Sequence, residues 1–285
     1  MGVYAQAANF LSENLGQNET ALVPMSNVFT TLNPDLSGRL VTYESMWNSA
    51  GVILQASTNM TDILKVRSYI ANFLNQNLQV KFIVRDWVDA YATPLFDSSL
   101  DYGLSPLFKE VQIFPFKLST GWSSQITIYE RVQVVQSLGM NLSMVPKNYF
   151  TAPSNTSVIF GSLGAVVQKT GPSVNLYVPL SVSLNVSKYS YMTLIINPNV
   201  TDLNLTIVFY YDTTGTGIFT GYGADFVHSI LLNQVQEGWS EGKSNEFILA
   251  IPASDYPVVQ IGLCLSGTFE GTVTFSNLNV YTELT

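Results

Sequence analysis

The sequence predicts an α+β protein in two parts, a small α/β domain over residues 1–118 and an antiparallel, jelly-roll-like β-sandwich over residues 119–285. Two observations predict this division. Helical and extended patterns alternate up to about residue 116, and beyond a Gly/Ser/Thr-rich break the apolar residues recur at every second position. The composition, 47% apolar and 11% charged, is that of a folded chain with a sizeable core.

The first domain is predicted to place helices against a small sheet. One helical face runs through residues 4–15 and ends at Gly16, and a second runs through residues 63–77. The extended runs are TALVPM, LVTY, QVKFIVRDW and EVQIFPF. Because helical segments separate these strands, parallel pairing is expected.

The second domain shows two-residue alternation with turns rich in Gly, Pro, Asn and Asp, which is typical of a β-sandwich. The alternating runs lie at 126–134, 203–211, 247–251, 259–265 and 271–284. In the last run, Val273 and Phe275 share one phase while Leu278 and Val280 share the other. A bulge near Ser276 and Asn277 would reconcile the two phases.

The charge balance excludes some classes of partner. The net charge is −8, and the 12 Lys and Arg residues are scattered, so neither nucleic acid nor an anionic membrane surface is an expected partner. A surface wetted by hydroxyl and amide groups favours an extracytoplasmic location. No run of 18 apolar residues occurs, so any export or anchoring segment is expected outside this chain.

The reactive side chains are few. A single cysteine, Cys264, excludes an internal disulfide and a Cys-based metal site, and its phase marks it as a small filler. The single histidine, His228, lies in an apolar run that is typical of a strand. A Ser-His-Asp triad would depend on that one imidazole.

Two carboxylates have the topological position of functional acids. Glu44 follows the strand LVTY and Asp86 follows KFIV, and ligands of open α/β sheets collect at the carboxyl ends of strands. Such a pair could divide acid and base roles. Carboxylates at strand ends also cap helices and turns, and this structural role remains the alternative.

Aromatic residues outside the apolar phase of the second domain are candidates for a platform on which sugar rings stack. These sugar-binding candidates are Tyr189, Tyr191, Tyr210, Tyr222 and Trp239. Core filling is the alternative role for each of them.

The one cofactor that the sequence suggests is a structural calcium ion bound by carboxylate oxygens. The candidate ligands do not have the spacing of an EF-hand. The candidate ligands are Glu130, Asp212, Asp225 and Glu283. Strict alternation would turn Glu130 inward, so a bulge or a cationic neighbour is expected there. Seven sequons for N-glycosylation start at Asn18, Asn59, Asn141, Asn155, Asn185, Asn199 and Asn204.

Two stretches resemble known families. The runs YSYMTLIIN, LNLTIVFYYD and GTVTFSNLNVY are similar in strand order and hydrophobic phase to carbohydrate-binding jelly rolls. The order of AANFLSENL, TALVPM, VKFIVRDW, FKEVQIFPF and ITIYERV resembles the soluble tail of multi-pass, polyprenyl-phosphate-sugar-dependent membrane glycosyltransferases. The second resemblance implies an outer-surface location and a role without catalytic residues in this chain.

The function expected from these resemblances is non-catalytic binding of a glycan or glycoprotein acceptor, beside the membrane portion of a parent surface-glycosylation enzyme. A secreted hydrolase or lyase that uses Glu44 and Asp86 is one alternative. A structural surface-layer module is another.

Overall fold

A computed structural model describes residues 2–43, 45, 73–86, 107–142, 156–161, 164–169, 173–200, 203–218, 227–233, 239–266 and 271–284. The chain divides into two compact units. The first unit comprises Met1–Thr58 and Tyr69–Val132, and the second comprises Asn59–Ser68 and Gln133–Thr285. Among the described residues, no helix has both the length and the apolar character needed to cross a membrane.

The first unit combines short helices with one sheet. Its elements are α1 (Val3–Asn14), β1 (Thr20–Val23), α2 (Ser26–Leu32), a 3-10 turn (Pro34–Leu36), β2 (Leu40–Thr42), β3 (Val80–Arg85), β4 (Phe108–Lys117) and β5 (Ser123–Arg131). The strand order is β2-β1-β3-β5-β4. Strands β1, β2 and β3 are parallel, whereas β5 is antiparallel to both β3 and β4.

Helix α1 covers one face of this sheet. Ala7, Ala8 and Leu11 are fully buried on one side of the helix and share a core with Phe82 and Ile128 of the sheet. The two alanines let the helix axis approach the strands closely, because they add almost no side-chain bulk. The helical face that the sequence predicts is therefore the face that packs.

Strand β5 belongs to the first unit, whereas the sequence predicted that the sandwich begins at residue 119. Thr127 pairs with Arg85 of β3, and Glu130 pairs with Phe82 of β3 and with Lys109 of β4. The boundary between the compact units therefore falls after Val132. The two-residue alternation of β5 resembled that of the later strands, but its hydrogen-bonding partners come from the N-terminal half.

The second unit consists of two antiparallel sheets. Its strands are β6 (Val134–Asn141), β7 (Thr156–Gly161), β8 (Gly164–Lys169), β9 (Ser173–Leu184), β10 (Tyr191–Asn199), β11 (Asn204–Tyr211), β12 (Val227–Asn233), β13 (Asn245–Ala250), β14 (Val258–Ser266) and β15 (Gly271–Glu283). One sheet has the order β13-β10-β15-β8-β7, with β6 also paired to β15, and the other has the order β12-β11-β14-β9.

Both sheets contribute side chains to one core. Leu194 and Phe275 come from the six-stranded sheet, and Ile207 and Ile261 come from the four-stranded sheet, and all four are fully buried in the same cluster. Two sheets that share a core in this way form a β-sandwich. The predicted antiparallel sandwich is thus confirmed.

The predicted bulge in the last strand is also present. Ile196 of β10 pairs with Phe275, and Leu194 pairs with Leu278. Two residues of β15, Ser276 and Asn277, therefore lie opposite a single residue of β10. The extra residue shifts the phase of the strand, so that apolar side chains on both sides of the bulge enter the core.

Candidate functional site

Tyr210 lies on the outer face of the four-stranded sheet. Along β11 the buried residues alternate with half-buried ones, and Phe209 and Tyr211 enter the core on either side of Tyr210. Directly opposite Tyr210 are Val227 on β12 and Gln260 on β14. Residues paired in this way have neighbouring side chains on the same face.

A glycine allows the Tyr210 ring to lie against the sheet. A Cβ atom added at Gly262 of β14 would lie 3.0 Å from Cε2 of Tyr210 and 3.3 Å from its hydroxyl oxygen. The ring therefore occupies the space that a side chain at position 262 would need. Tyr210 is half-buried, so part of the residue remains accessible to solvent.

The surroundings of Tyr210 combine apolar surface with neutral polar groups. Val227 and Leu231 of β12 are 50% and 52% exposed, and Ser229 between them is also exposed. Gln260 supplies a half-buried amide. This surface offers a ring, apolar contacts and hydrogen-bonding groups without formal charge.

Cys264 follows Gly262 on the same face of β14 and is half-buried. Burial raises the pKa of its thiol, so the side chain stays protonated at neutral pH. This state suits the predicted role as a filler. His228 lies in β12, as predicted, with Phe209 as its backbone partner.

The other tyrosine candidates are arranged differently. Tyr191 begins β10 and is buried, with its ring stacked on that of Tyr281 at a centroid distance of 4.8 Å and an interplanar angle of 17°. Tyr189 is half-buried in the preceding loop, and the Lys188 ammonium lies 4.7 Å from its ring centroid. Tyr222 lies outside the described residues.

Trp239 is part of the core. It is 7% exposed and contacts Phe247 edge-on, with ring centroids 5.0 Å apart. Its buried indole nitrogen has no hydrogen-bond partner among the described residues. The alternative that the sequence left open, core filling, therefore describes Trp239. Tyr191 is buried against Tyr281 instead. Among the described candidates, Tyr210 is the one whose ring lies half-buried on a sheet surface.

Asp86 lies at the carboxyl end of β3, where the sequence placed it, but it is buried. The Tyr4 hydroxyl of α1 donates a hydrogen bond to Asp86 Oδ2. Burial of Tyr4, together with this hydrogen bond to a carboxylate, holds the pKa of the phenol well above its usual range. The contact ties α1 to the end of β3, and the proposed partner Glu44 lies outside the described residues.

The carboxylate of Asp212 is occupied by its own loop. Its Oδ1 accepts hydrogen bonds from the N–H groups of Thr214 and Gly215, at 3.0 and 2.8 Å, and its Oδ2 accepts one from the Gly217 N–H at 2.6 Å. Burial opposes ionisation of Asp212, but these hydrogen bonds outweigh it and keep the pKa of the carboxyl below its usual value. Asp212 therefore organises a turn.

The remaining calcium candidates are dispersed. Glu130 belongs to the first unit, Asp225 lies outside the described residues, and Glu283 accepts a hydrogen bond from Ser187 Oγ at 3.4 Å. Within the described ranges, no three His, Cys, Asp or Glu side chains are grouped as metal ligands. A calcium site stays a prediction.

The sequons differ in exposure. Asn18, Asn141, Asn185 and Asn199 are exposed. Asn204, in contrast, is half-buried, and its side-chain oxygen accepts a hydrogen bond from the Asn233 amide. Asn59 and Asn155 lie outside the described residues.

No protein-family model and no curated protein matches this chain. Solved structures of carbohydrate-binding modules are similar to part of it. A xylan-binding module is 12% identical, with 54% of this chain and 99% of that chain covered and a TM-score of 0.36. A family 11 carbohydrate-binding module from Clostridium thermocellum, in complex with a β-1,3-1,4-mixed-linked tetrasaccharide, is 11% identical, with the same coverage and TM-score.

A module from the β-sandwich superfamily, described as promiscuous in its carbohydrate specificity, is 14% identical, with 61% of this chain and 75% of that chain covered and a TM-score of 0.33. At such low identities and TM-scores, these likenesses leave the function to be argued from the residues of this chain. Gly262 belongs to this site but was not among the candidate residues predicted from the sequence. A glycine inside an apolar strand is the signal, because it often marks close approach of another group.

Proposed function

We propose that the outer face of the four-stranded sheet binds a glycan chain without catalysing its conversion. The observation that carries the proposal is the Tyr210 ring lying over Gly262, half-buried on that face. A pyranose ring has a CH-rich face that packs on an aromatic ring, and its edge carries hydroxyl groups.

The neighbours of Tyr210 complement both parts of a sugar. Gln260 and Ser229 offer an amide and a hydroxyl that can exchange hydrogen bonds with sugar hydroxyls. Val227 and Leu231 supply apolar contact on the side of β12. These named side chains carry no formal charge, which suits a neutral polysaccharide.

The biological setting that we propose is an extracytoplasmic region of a membrane-anchored surface-glycosylation enzyme, which holds a glycan or glycoprotein acceptor beside the membrane portion of its parent chain. The low content of charged residues supports an outer-surface location. The four exposed sequons and the resemblance of the N-terminal stretch to membrane glycosyltransferases support it further.

Titration calorimetry against a panel of neutral polysaccharides tests the proposal. We expect binding by the wild-type chain and a loss of about tenfold or more in affinity for Tyr210→Ala, because one stacked aromatic ring contributes about 1.5 kcal/mol. Tyr256→Ala is the matched control, since Tyr256 is an exposed aromatic in a loop of the same unit. If Tyr210→Ala bound the polysaccharide as tightly as the wild type, Tyr210 would not be the residue on which the sugar stacks.

The same samples separate the alternatives. Release of reducing ends from any of these polysaccharides, lost on replacing Glu44 and Asp86 by alanine, would support the hydrolase or lyase. Self-association without glycan binding, measured by sedimentation, would support a structural surface-layer module.

A further inference from the structure

The β4–β5 hairpin of the first unit carries the most exposed large apolar side chain among the described residues. Trp122 is 76% exposed at the tip of this hairpin. The Leu118 N–H donates to the Trp122 carbonyl at 2.8 Å, and the Gly121 N–H donates to the Leu118 carbonyl at 2.9 Å. Gly121 has a positive φ of 85°, so the turn depends on glycine at that position.

The hairpin tip extends beyond its neighbouring strand. In the part of the chain that the structure describes, the last pair between β3 and β5 is Arg85 with Thr127, whereas β5 begins at Ser123. The four residues before Thr127 are paired with β4, and at about 3.4 Å per residue they carry the tip roughly 14 Å past that last pair.

One face of the hairpin packs on the core of the unit almost as far as the turn. Phe114 and Phe116 of β4 pack against the cluster beneath α1, and the Phe114 ring lies 6.4 Å from that of Phe10 in an edge-on arrangement. Ile113 alternates with these residues and is 37% exposed. Trp122 is therefore presented by a turn that follows directly on packed residues of the hairpin.

The chemistry of the tip differs from that of the whole chain. The chain has a net charge of −8, but residues 111–129 contain no Asp or Glu and one basic residue, Lys117, which is exposed beside the turn. The side chain of Trp122 combines a large apolar surface with one N–H donor. Tryptophan of this kind is favoured at the boundary between lipid headgroups and acyl chains.

A second exposed apolar residue lies at the same edge of the sheet. Because β1 and β3 are parallel, their carboxyl ends share an edge, and the start of antiparallel β5 lies there too. Met25 follows β1 at this edge and is 42% exposed. This edge therefore presents two large apolar side chains.

We propose that the β4–β5 hairpin tip is a membrane-interface anchor, in which Trp122 inserts into the headgroup region of an electrically neutral bilayer. A projecting tip suits a soft interface, whereas a stable protein partner would need about 800 Å² of complementary surface on this side. The negative net charge of the chain excludes anionic lipid as the preferred surface.

Sedimentation of the full chain with pure phosphatidylcholine vesicles, at up to about 10 mM lipid because a single small anchor binds weakly, tests the anchor. Trp122→Ala is expected to lower the partition coefficient about tenfold, because it removes one large apolar side chain from the interface. Trp122→Tyr should retain part of the binding. Tyr256→Ala, at an exposed aromatic of the second unit, should leave it unchanged.

Phosphatidylcholine with brominated acyl chains provides a second readout. Contact with bromine should lower the tryptophan fluorescence of the wild-type chain, and Trp122→Phe should remove most of this quenching. The anchor is overturned if the wild-type chain does not partition, if Trp122→Ala partitions equally, or if Trp122→Phe is quenched as strongly as the wild type. Soluble neutral glycans that bind through Trp122 and release the chain from vesicles would also overturn it, in favour of a sugar-binding tip.

Discussion

The middle strands of the two units differ in how they are buried. In β3, Phe82, Ile83 and Val84 are buried in succession, whereas in β11 burial falls on every second residue. Strand β11 has one face on the core and one face outside, so its burial alternates. A strand buried on both faces carries no such alternation.

Strand β5 shows what this difference means for interpretation. Its Ile126 and Ile128 alternate with polar residues, as in a sandwich strand, yet Thr127 between them is buried as well. The Gln125 side-chain amide donates a hydrogen bond of 3.0 Å to the Thr127 hydroxyl. Because the buried Thr127 hydroxyl has a hydrogen-bond partner, a strand that is buried on both faces can show the same apolar–polar alternation as a strand that is buried on one face.

The largest effect is expected from cavity-forming substitutions that separate the two cores. Ile128→Ala and Ile207→Ala should each lower the free energy of unfolding by about 2–5 kcal/mol, because both side chains are fully buried. Hydrogen exchange should accelerate in β3 and β4 for Ile128→Ala, and in β12 and β14 for Ile207→Ala. Equal acceleration in β10 for both variants would contradict the assignment of β5 to the first unit.

The next largest effect on stability is expected from removing a tyrosine hydroxyl that donates a hydrogen bond, either to a carboxylate or to a backbone carbonyl. Tyr4 donates to the buried Asp86, and Tyr211 of the sandwich core donates to the Pro252 carbonyl at 2.7 Å. Tyr4→Phe should lower the free energy of unfolding by about 1.5–3 kcal/mol, and Tyr211→Phe by about 0.5–1.5 kcal/mol. Chemical denaturation at neutral pH measures both. A larger loss for Tyr211→Phe would show that the contact with Asp86 contributes little.

A smaller effect compares two glycines on the outer faces of the sandwich. Gly262→Val should displace the Tyr210 ring and weaken glycan binding about threefold to tenfold, which corresponds to the contribution of one aromatic contact. Gly139→Val, in the six-stranded sheet, meets the flexible end of Gln136 and should leave binding unchanged. Calorimetric titration compares the two variants. Equal losses of affinity would mean that the ring position at Tyr210 is irrelevant.

The smallest effect is a pH dependence of opposite sign in the two units. Burial raises the pKa of Glu246 in β13. For Glu19, burial opposes ionisation, but the Gly16 N–H and the Lys81 ammonium, at 3.1 Å, outweigh it and lower the pKa. A raised folded pKa contributes stability that is lost as the pH rises, and a lowered one contributes stability that is lost as the pH falls.

Relative to the wild type, Glu246→Gln should therefore gain stability as the pH rises from about 4, the ordinary pKa of a glutamate, towards 7. Glu19→Gln should lose stability relative to the wild type as the pH rises through the acidic range towards about 4, the ordinary pKa of a glutamate, because the wild-type carboxyl ionises below that value. Urea unfolding at a series of pH values measures both slopes. If the stability difference from the wild type changed with pH in the same direction for both variants, the opposite pKa shifts of Glu246 and Glu19 would be contradicted.

Much of the fold is contained in local patterns. The apolar face of α1 and the bulge at Ser276 and Asn277 follow from spacing alone, because a helix repeats every 3.6 residues and a strand every two. The sandwich follows in the same way, since each of its sheets has one face in the core. The position of Asp86 after β3 was also predictable from the order of elements.

The site needed the tertiary structure. Tyr191, Tyr210 and Trp239 looked equivalent as aromatics outside the apolar phase, yet one is stacked and buried, one lies on a sheet surface and one fills the core. The fate of each depends on residues distant in sequence, namely Tyr281, Gly262 and Phe247.

The sequence by itself determined where strands and helices form and which side of most of them is apolar, because these properties depend on neighbours a few positions away. Only the tertiary structure decided that β5 joins the first sheet and that Tyr210 lies over Gly262. Both depend on pairing between strands that are distant in sequence. Strands with the same spacing of apolar residues can pair with more than one partner, so the spacing alone does not decide which strands pair.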